Sequence, residues 1–194
     1  MPQEPDSTAR ERVLLAAEQL FAERGLGAVT LRQIGARAGI DHSSIYYHVP
    51  GGKAALFVEV TARTFTRHRA GLGAAISAQA PDLRAQLYAA ADWLLSQPPV
   101  DLVRLTHIDM TELNDAQVAH LTTHAYTALQ EPIIAALTAA RAVGSIVYDD
   151  LDLISGGLIG TIQSLYGVSE AVAGKSRQTM AHRLIDVYLD GLRG

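Results

Sequence analysis

Thr30-Leu31-Arg32-Gln33-Ile34-Gly35-Ala36-Arg37-Ala38-Gly39-Ile40-Asp41-His42-Ser43-Ser44-Ile45-Tyr46-Tyr47-His48-Val49 is the stretch on which the fold turns. It opens as a capping box: Thr30 and Gln33 are spaced so that each side chain can serve the other residue's backbone N–H. Leu31, Ile34 and Ala38 recur at helical spacing, and Gly39 can take the positive backbone angle that ends a helix. Asp41 can then cap a second short helix, His42 to about His48, with Ile45 and Val49 facing inward. Ala38 is small enough for the two helices to approach, and Ile40 can plug the corner between them. The result is a helix-turn-helix. The exposed start of its second helix carries His42, Ser43 and Ser44, followed by Tyr46, Tyr47 and His48. Hydrogen-bonding and aromatic side chains of this kind suit base edges, thymine methyls and phosphates. Arg32 joins them as a DNA-binding candidate.

Upstream, Thr8-Ala9-Arg10-Glu11 has the form of another capping box, and Val13, Leu14, Ala17, Leu20 and Phe21 form one apolar stripe. Gly25 follows as a helix stop. Downstream, Pro50-Gly51-Gly52 breaks the chain, and a long helix is expected from about Lys53 to Ser77 with Leu56, Val60 and Phe65 buried. Further helices are expected from Pro81 to about Ser96, from Val100 to Leu113, and from about Ala116 to Val143 with Pro132 as a kink or early break. Another, capped by Asp149 or Asp150, should reach about Val172, and Ser176 to Leu192 should form the last. No strand-like alternation and no internal repeat is visible. The fold class is therefore all-α: residues 1–52 an N-terminal arm and helix-turn-helix domain, residues 53–194 a larger helical domain, with the fourth helix linking them.

Of the 194 residues 48% are hydrophobic and 19% charged, enough for a real core. The chain has no cysteine, which excludes disulfides and thiolate metal sites. Met1 to Asp6 is polar with no apolar signal region, and the most apolar stretch, Leu151 to Val168, is too polar to span a bilayer. A cytoplasmic protein with no membrane partner is expected. The net charge is −4, but residues 1–70 hold nine Lys/Arg against seven Asp/Glu, while residues 71–194 hold seven against thirteen. Binding to a polyanion depends on the local face rather than on the total.

The stretch from Thr30 to Val49, with Lys53-Ala54-Ala55-Leu56 after it, resembles the DNA-binding domain of the tetracycline-repressor (TetR) family, over residues 8 to about 60. The resemblance implies that Thr30 touches phosphate at the start of the second helix and that Tyr46, Tyr47 and His48 lie on or near the DNA. It also implies that Lys53 meets phosphate at the start of the fourth helix. Three positions depart from the family pattern. Asp41 stands where Ser or Thr is common, Val49 replaces phenylalanine, and Pro50-Gly51-Gly52 makes the loop one residue longer.

The same resemblance implies a homodimer built from the last two long helices, a two-fold palindromic operator, and a small-molecule effector acting on a repressor. Gly156, Gly157 and Gly160 would leave a flat surface beside Leu158, Ile159, Ile162 and Leu165. Met180, Leu184, Val187 and Leu189 offer an apolar face on the last helix. An effector pocket is expected among the middle helices, with Trp93, His107, Met110, His124, Tyr126 and Tyr166 as lining candidates, although simple core packing is the default for each. His120 and His124 share a helix face near His107, Asp109 and Glu112, a spacing compatible with zinc, although a solvated or pocket-lining role is the default. No metal or cofactor is assigned. The motifs G-x-S-x-G and H-E-x-x-H and a phosphate-binding glycine loop are all missing, so an enzyme is not expected. A helical adaptor that binds only protein is the alternative to a DNA-binding regulator.

Overall fold

The computed structural model describes residues 7–192, with Ser7 and His42 described by backbone alone; the expectation for Met1–Asp6 lies outside them. Every regular element among these residues is helical. By compactness the chain forms two units, residues 1–64 with 101–122, and residues 65–100 with 123–194. The boundary expected at residue 52 falls inside the first of them, at the start of the long fourth helix.

The first unit is built on α1 (Ser7–Arg24), α2 (Leu31–Ala38), α3 (His42–His48) and the opening of α4 (Gly52–Ser77). Val13, Ala17, Leu20 and Phe21 of α1 are buried with Leu26, Ile34, Ile45, Leu56 and Phe57. Phe21 and Phe57 meet edge to face at 5.2 Å, a favoured aromatic arrangement. Two forked ion pairs tie α1 to α4: Arg10 with Glu59 at 3.0 and 2.9 Å, and Arg63 with Glu11 at 3.0 and 2.7 Å. The Arg63 hydrogen bond holds the Glu11 carboxyl below its ordinary range. Helix α1 begins at Ser7, so Thr8 lies inside it rather than capping it.

The segment expected to be one helix from Val100 to Leu113 is instead α6 (Leu102–His107) followed by a 3-10 turn, Asp109–Glu112. Asp101 caps α6 by accepting from Arg104 N at 2.9 Å. Side chains on either side of this change bond to the rest of the first unit: Arg104 reaches the end of α1, and Asp109 turns inward to a backbone amide.

The second unit packs α5 (Leu83–Ser96), α8 (Glu131–Ala142), α9 (Leu151–Ser164) and α11 (Arg177–Leu192) around Leu87, Ala90, Leu94, Ile133, Leu137, Leu158, Ile162 and Ile185. Pro81 precedes α5 rather than opening it; Asp82 is the cap, accepting from Ala85 N at 3.1 Å. Pro132, expected as a kink or early break, does not end the helix. Helix α7 (Asp115–Ala125) runs into a π turn, Tyr126–Gln130, and on into α8 with Gln130 and Glu131 at helical angles; Glu131 N–H donates to Tyr126 O in this wider turn, just before the proline that lacks an N–H. Asp150 caps α9 through Leu153 N at 3.0 Å. That helix ends at Ser164, short of the expected Val172, and a 3-10 turn (Leu165–Gly167) and short α10 (Glu170–Ala173) follow. Arg177 accounts for the early stop: it donates to the carbonyls of Leu165 (3.0 Å), Tyr166 (3.4 Å) and Val168 (3.5 Å). No helix among the described residues is long and apolar enough to cross a membrane.

Candidate nucleic-acid interface

Helix α2 starts where its capping box predicts. Gln33 N–H donates to Thr30 Oγ1 at 3.3 Å, and Thr30 N–H donates to Gln33 Oε1 at 2.8 Å. Gly39 ends the helix in the left-handed region at φ 66°, its N–H donating to Ala36 O. Asp41 occupies the cap position of α3, but its side chain makes no cap hydrogen bond; its carbonyl accepts from Ser44 N and Ile45 N instead. The tight corner owes as much to Gly35 as to Ala38. A Cβ on Gly35 would stand 3.1 Å from Ile40 O and 3.6 Å from Ile45 Cβ, so the turn and α3 close directly onto α2.

This corner presents one side of α3 outward. Ser43 and Ser44 are exposed, and Tyr46 and Tyr47 protrude at 54% and 55% exposure while Ile45, just before the tyrosines, is fully buried. Thr30 and Arg32 are exposed at the start of α2. The His42 side chain lies outside the described residues. His48 corrects the sequence reading: at 9% exposure it belongs to the core, with its ring edge-on to Tyr47 at 5.5 Å. The reason is geometric, since Ile45 and His48 lie one turn apart on the inward face of α3. Lys53 is also engaged within the unit. Its ammonium donates to Leu26 O at 2.8 Å and stands 3.9 Å from Glu112 Oε2. Arg37 is likewise paired with Glu23 at 2.9 Å, which holds that carboxyl below its ordinary range.

The expected effector residues are divided between the units. His107, exposed, and Met110, buried, belong to the first; Trp93, His124, Tyr126 and Tyr166 belong to the second. Several have structural roles that sequence does not reveal. The Tyr166 hydroxyl sits 2.6 Å from Leu94 O and 2.7 Å from Gln97 O, where it can close the end of α5, and burial pushes its pKa up. Tyr126 donates to Asp152 at 2.7 Å. The second unit holds a cleft of about 520 Å³, lined among others by Arg69, Ile76, Gln86, Thr127, Glu131 and Ala135, and none of the six candidates lines it. His120 is exposed and His124 half-buried on α7; no group of three or more His, Cys, Asp or Glu side chains that could hold a metal stands among the described residues.

On the outer helices, Ile162 and Leu165 are 1% and 5% exposed and pack within the chain, which corrects their reading as contact residues for a partner. Gly156, Met180 and Leu184 are half-buried. Gly160 is exposed with nothing within 4 Å of its Cβ position, and Leu153 and Val187 are exposed at 59% and 70%.

Such a corner, with its outward tyrosines and serines, defines a helix-turn-helix head of the kind used to read DNA. Residues 13–60 match the family of bacterial regulatory proteins, tetR family. Over 39 residues the chain is 51% identical to the transcriptional repressor BepR of Brucella suis biovar 1, a match covering 20% of this chain and 19% of that protein. Over 51 residues it is 43% identical to the transcriptional regulator LmrA of Bacillus subtilis, covering 26% and 27%. These matched stretches thus span about a fifth to a quarter of the relatives' length. Likeness of fold reaches further. The fatty acid degradation regulator FadR from Bacillus halodurans superposes with a TM-score of 0.74 at 16% identity, covering 98% of this chain and 99% of that one. A Saccharomonospora viridis regulator in complex with choline gives 0.72 at 22% identity, covering 95% and 97%. Residues 13–60 are thus similar to the N-terminal domain of bacterial regulatory proteins of the tetR family, and the fold as a whole is like that of solved regulators.

Proposed function

We propose that the protein is a homodimeric repressor that binds a two-fold operator and is released from it by a small-molecule ligand. The observation that carries this reading is the outward row Ser43, Ser44, Tyr46 and Tyr47 on a helix whose other face is closed by Ile45 and His48. Two exposed tyrosines beside two serines on a short helix fit a major groove, where hydroxyls meet base edges and rings meet thymine methyls. Arg32 and Thr30 stand at the N-terminus of α2, where backbone amides favour phosphate.

The outward stripe of α9 and α11, with Leu153, Gly157, Gly160 and Val187, supports pairing of two chains through those helices. In a two-fold pair the heads would present α3 to successive major grooves about 34 Å apart. The cleft in the second unit is the effector site in this reading; Trp93, His124, Tyr126 and Tyr166 belong to the same unit. Ligand-bound relatives of this fold, such as the choline complex, support a small organic effector. Ligand acts by preferring a conformation with different head spacing, and lowers operator affinity by that preference. Helix α4, which contributes residues to both units, is the natural lever.

Selection from a random duplex pool near 0.15 M salt, followed by titration against salt, tests the reading. A two-fold symmetric winner bound far above random duplex is the expected result. No enriched sequence, with or without candidate ligands, overturns it in favour of a protein-binding adaptor.

A further inference from the structure

Residues 101–112 form a strap across the α1–α2 turn. The Arg104 guanidinium donates to the carbonyls of Phe21 (3.1 Å) and Ala22 (2.9 Å) at the end of α1, where Phe21 O also accepts from Gly25 N–H at 2.8 Å. Asp109, only 2% exposed, accepts from Leu26 N–H at 2.6 Å and lies 3.4 Å from Arg104 Nε. Two glycines make room for the strap. A Cβ on Gly25 would sit 2.8 Å from Asp109 Oδ1, and one on Gly27 would sit 2.6 Å from Glu112 Oε1. The buried Asp109 anchor therefore fixes where Glu112 stands, which is against Lys53.

Lys53 is the second residue of α4, just beyond the end of the reading helix α3, at a helix N-terminus where backbone amides point toward an anion. Its ammonium is partly exposed and is held between Leu26 O at 2.8 Å and the Glu112 carboxylate at 3.9 Å. We propose that Glu112 is an acidic competitor built into the fold, which withholds the Lys53 charge from the DNA backbone. This rests on the DNA-binding reading above. A phosphate approaching Lys53 meets the Glu112 carboxylate, so the lysine counts for little in the electrostatics of binding while the strap is seated. Half-exposed ion pairs are weak, and displacing Glu112 is within reach of small movements. The strap joins α5 to α7, so a shift of either helix pulls on it and changes how much of Lys53 the DNA feels.

The test uses the full chain and a random-sequence duplex, with the dissociation constant followed between about 0.05 and 0.2 M salt. Glu112→Gln keeps the shape and removes the charge. It is expected to bind roughly three- to tenfold tighter at the low-salt end, with the slope of log K against log salt steeper by about 0.9, the signature of one added phosphate contact. In a Lys53→Met background the same Glu112→Gln change should alter neither quantity; Lys53→Gln replaces Lys53→Met if the latter lowers the melting temperature. Two outcomes overturn the proposal while the DNA-binding reading stands: a Glu112→Gln variant that binds as the parent does, or a gain that persists undiminished without Lys53. A parent chain that retains no duplex at the lowest salt removes the DNA-binding reading and this inference together.

Discussion

The indole of Trp93 packs against the backbone of α4 at Gly71, so close that a Cβ there would overlap its Cζ2 and Cη2 atoms. Nothing short of moving a rigid ring on α5 makes room for a methyl group. Gly71→Ala should therefore destabilise the protein by about 1–3 kcal/mol, overpacking outweighing the gain in helix propensity. Trp93 is the one tryptophan in the chain, so its emission reports the displacement directly. Gly73, two residues along the same helix, has nothing within 4 Å of its Cβ position. Gly73→Ala should stabilise by about 0.5–1 kcal/mol and leave the emission unchanged. Thermal melts of the pair check both signs.

Tyr47 and His48 are adjacent in sequence and opposite in fate. Tyr47→Ala should cost about 1–3 kcal/mol of specific DNA binding and relax preference locally, with little change in melting temperature. His48→Ala should do the reverse in the first instance, lowering the melting temperature through a buried cavity. Titration against a selected operator, beside melts of each variant, separates the two. Equal loss of DNA affinity without loss of stability in both would show that His48 faces the nucleic acid after all.

How far the chain could be read in advance follows from where each signal resides. The head was legible because its determinants are local: Thr30 with Gln33, the left-handed Gly39, and Ile45 with Val49 all act within a few residues of one another. Gly35 went unnoticed because its importance lies in the approach of Ile40 O, a contact made only once the corner closes. The run Tyr46-Tyr47-His48 shows three polar ring-bearing side chains in a row, and composition does not say which one turns inward. Beyond the head the helices were visible by periodicity but their ends were not, because distant partners meet there: Arg104 on the carbonyls of α1, and Arg177 on those after α9. Two of the aromatic residues expected around an effector have structural contacts that are hidden for the same reason. Tyr166 bonds to the end of α5, and Trp93 covers Gly71, contacts that only the folded chain reveals.

His68 is buried on α4, and burial, with Arg67 as a smaller cause, holds its imidazole below the ordinary value. In the unfolded chain the same ring takes up its proton near pH 6.5. As pH falls through that value the unfolded state binds a proton that the folded state refuses, so stability falls with it. Above that value both states are neutral and the residue adds no pH dependence. Between about pH 7.5 and 5.5 the parent should therefore lose more stability than His68→Leu, which has no proton to take up. Denaturant melts at the two pH values check this. Parallel losses in parent and variant would mean that His68 is protonated in the folded protein.

Leu153, Gly157 and Gly160 fall at helical spacing along the outward side of α9, and Val187 is exposed on α11. In a two-fold pairing each such residue meets the partner's copy of the same surface, so one introduced carboxylate is felt twice. Val187→Asp should shift the protein from dimer to monomer in analytical ultracentrifugation while its melting temperature, extrapolated to low concentration, stays near that of the parent. Ile162→Asp is the contrasting case: that side chain is buried within the chain, and an unpaired charge there should unfold the protein rather than dissociate it. A monomer carries one reading head, so Val187→Asp should also reduce binding to a full two-fold operator far more than binding to a half-site. A Val187→Asp protein that remains dimeric would place the interface elsewhere on the surface, and a dimer that dissociates without loss of full-operator affinity would separate dimerisation from DNA recognition.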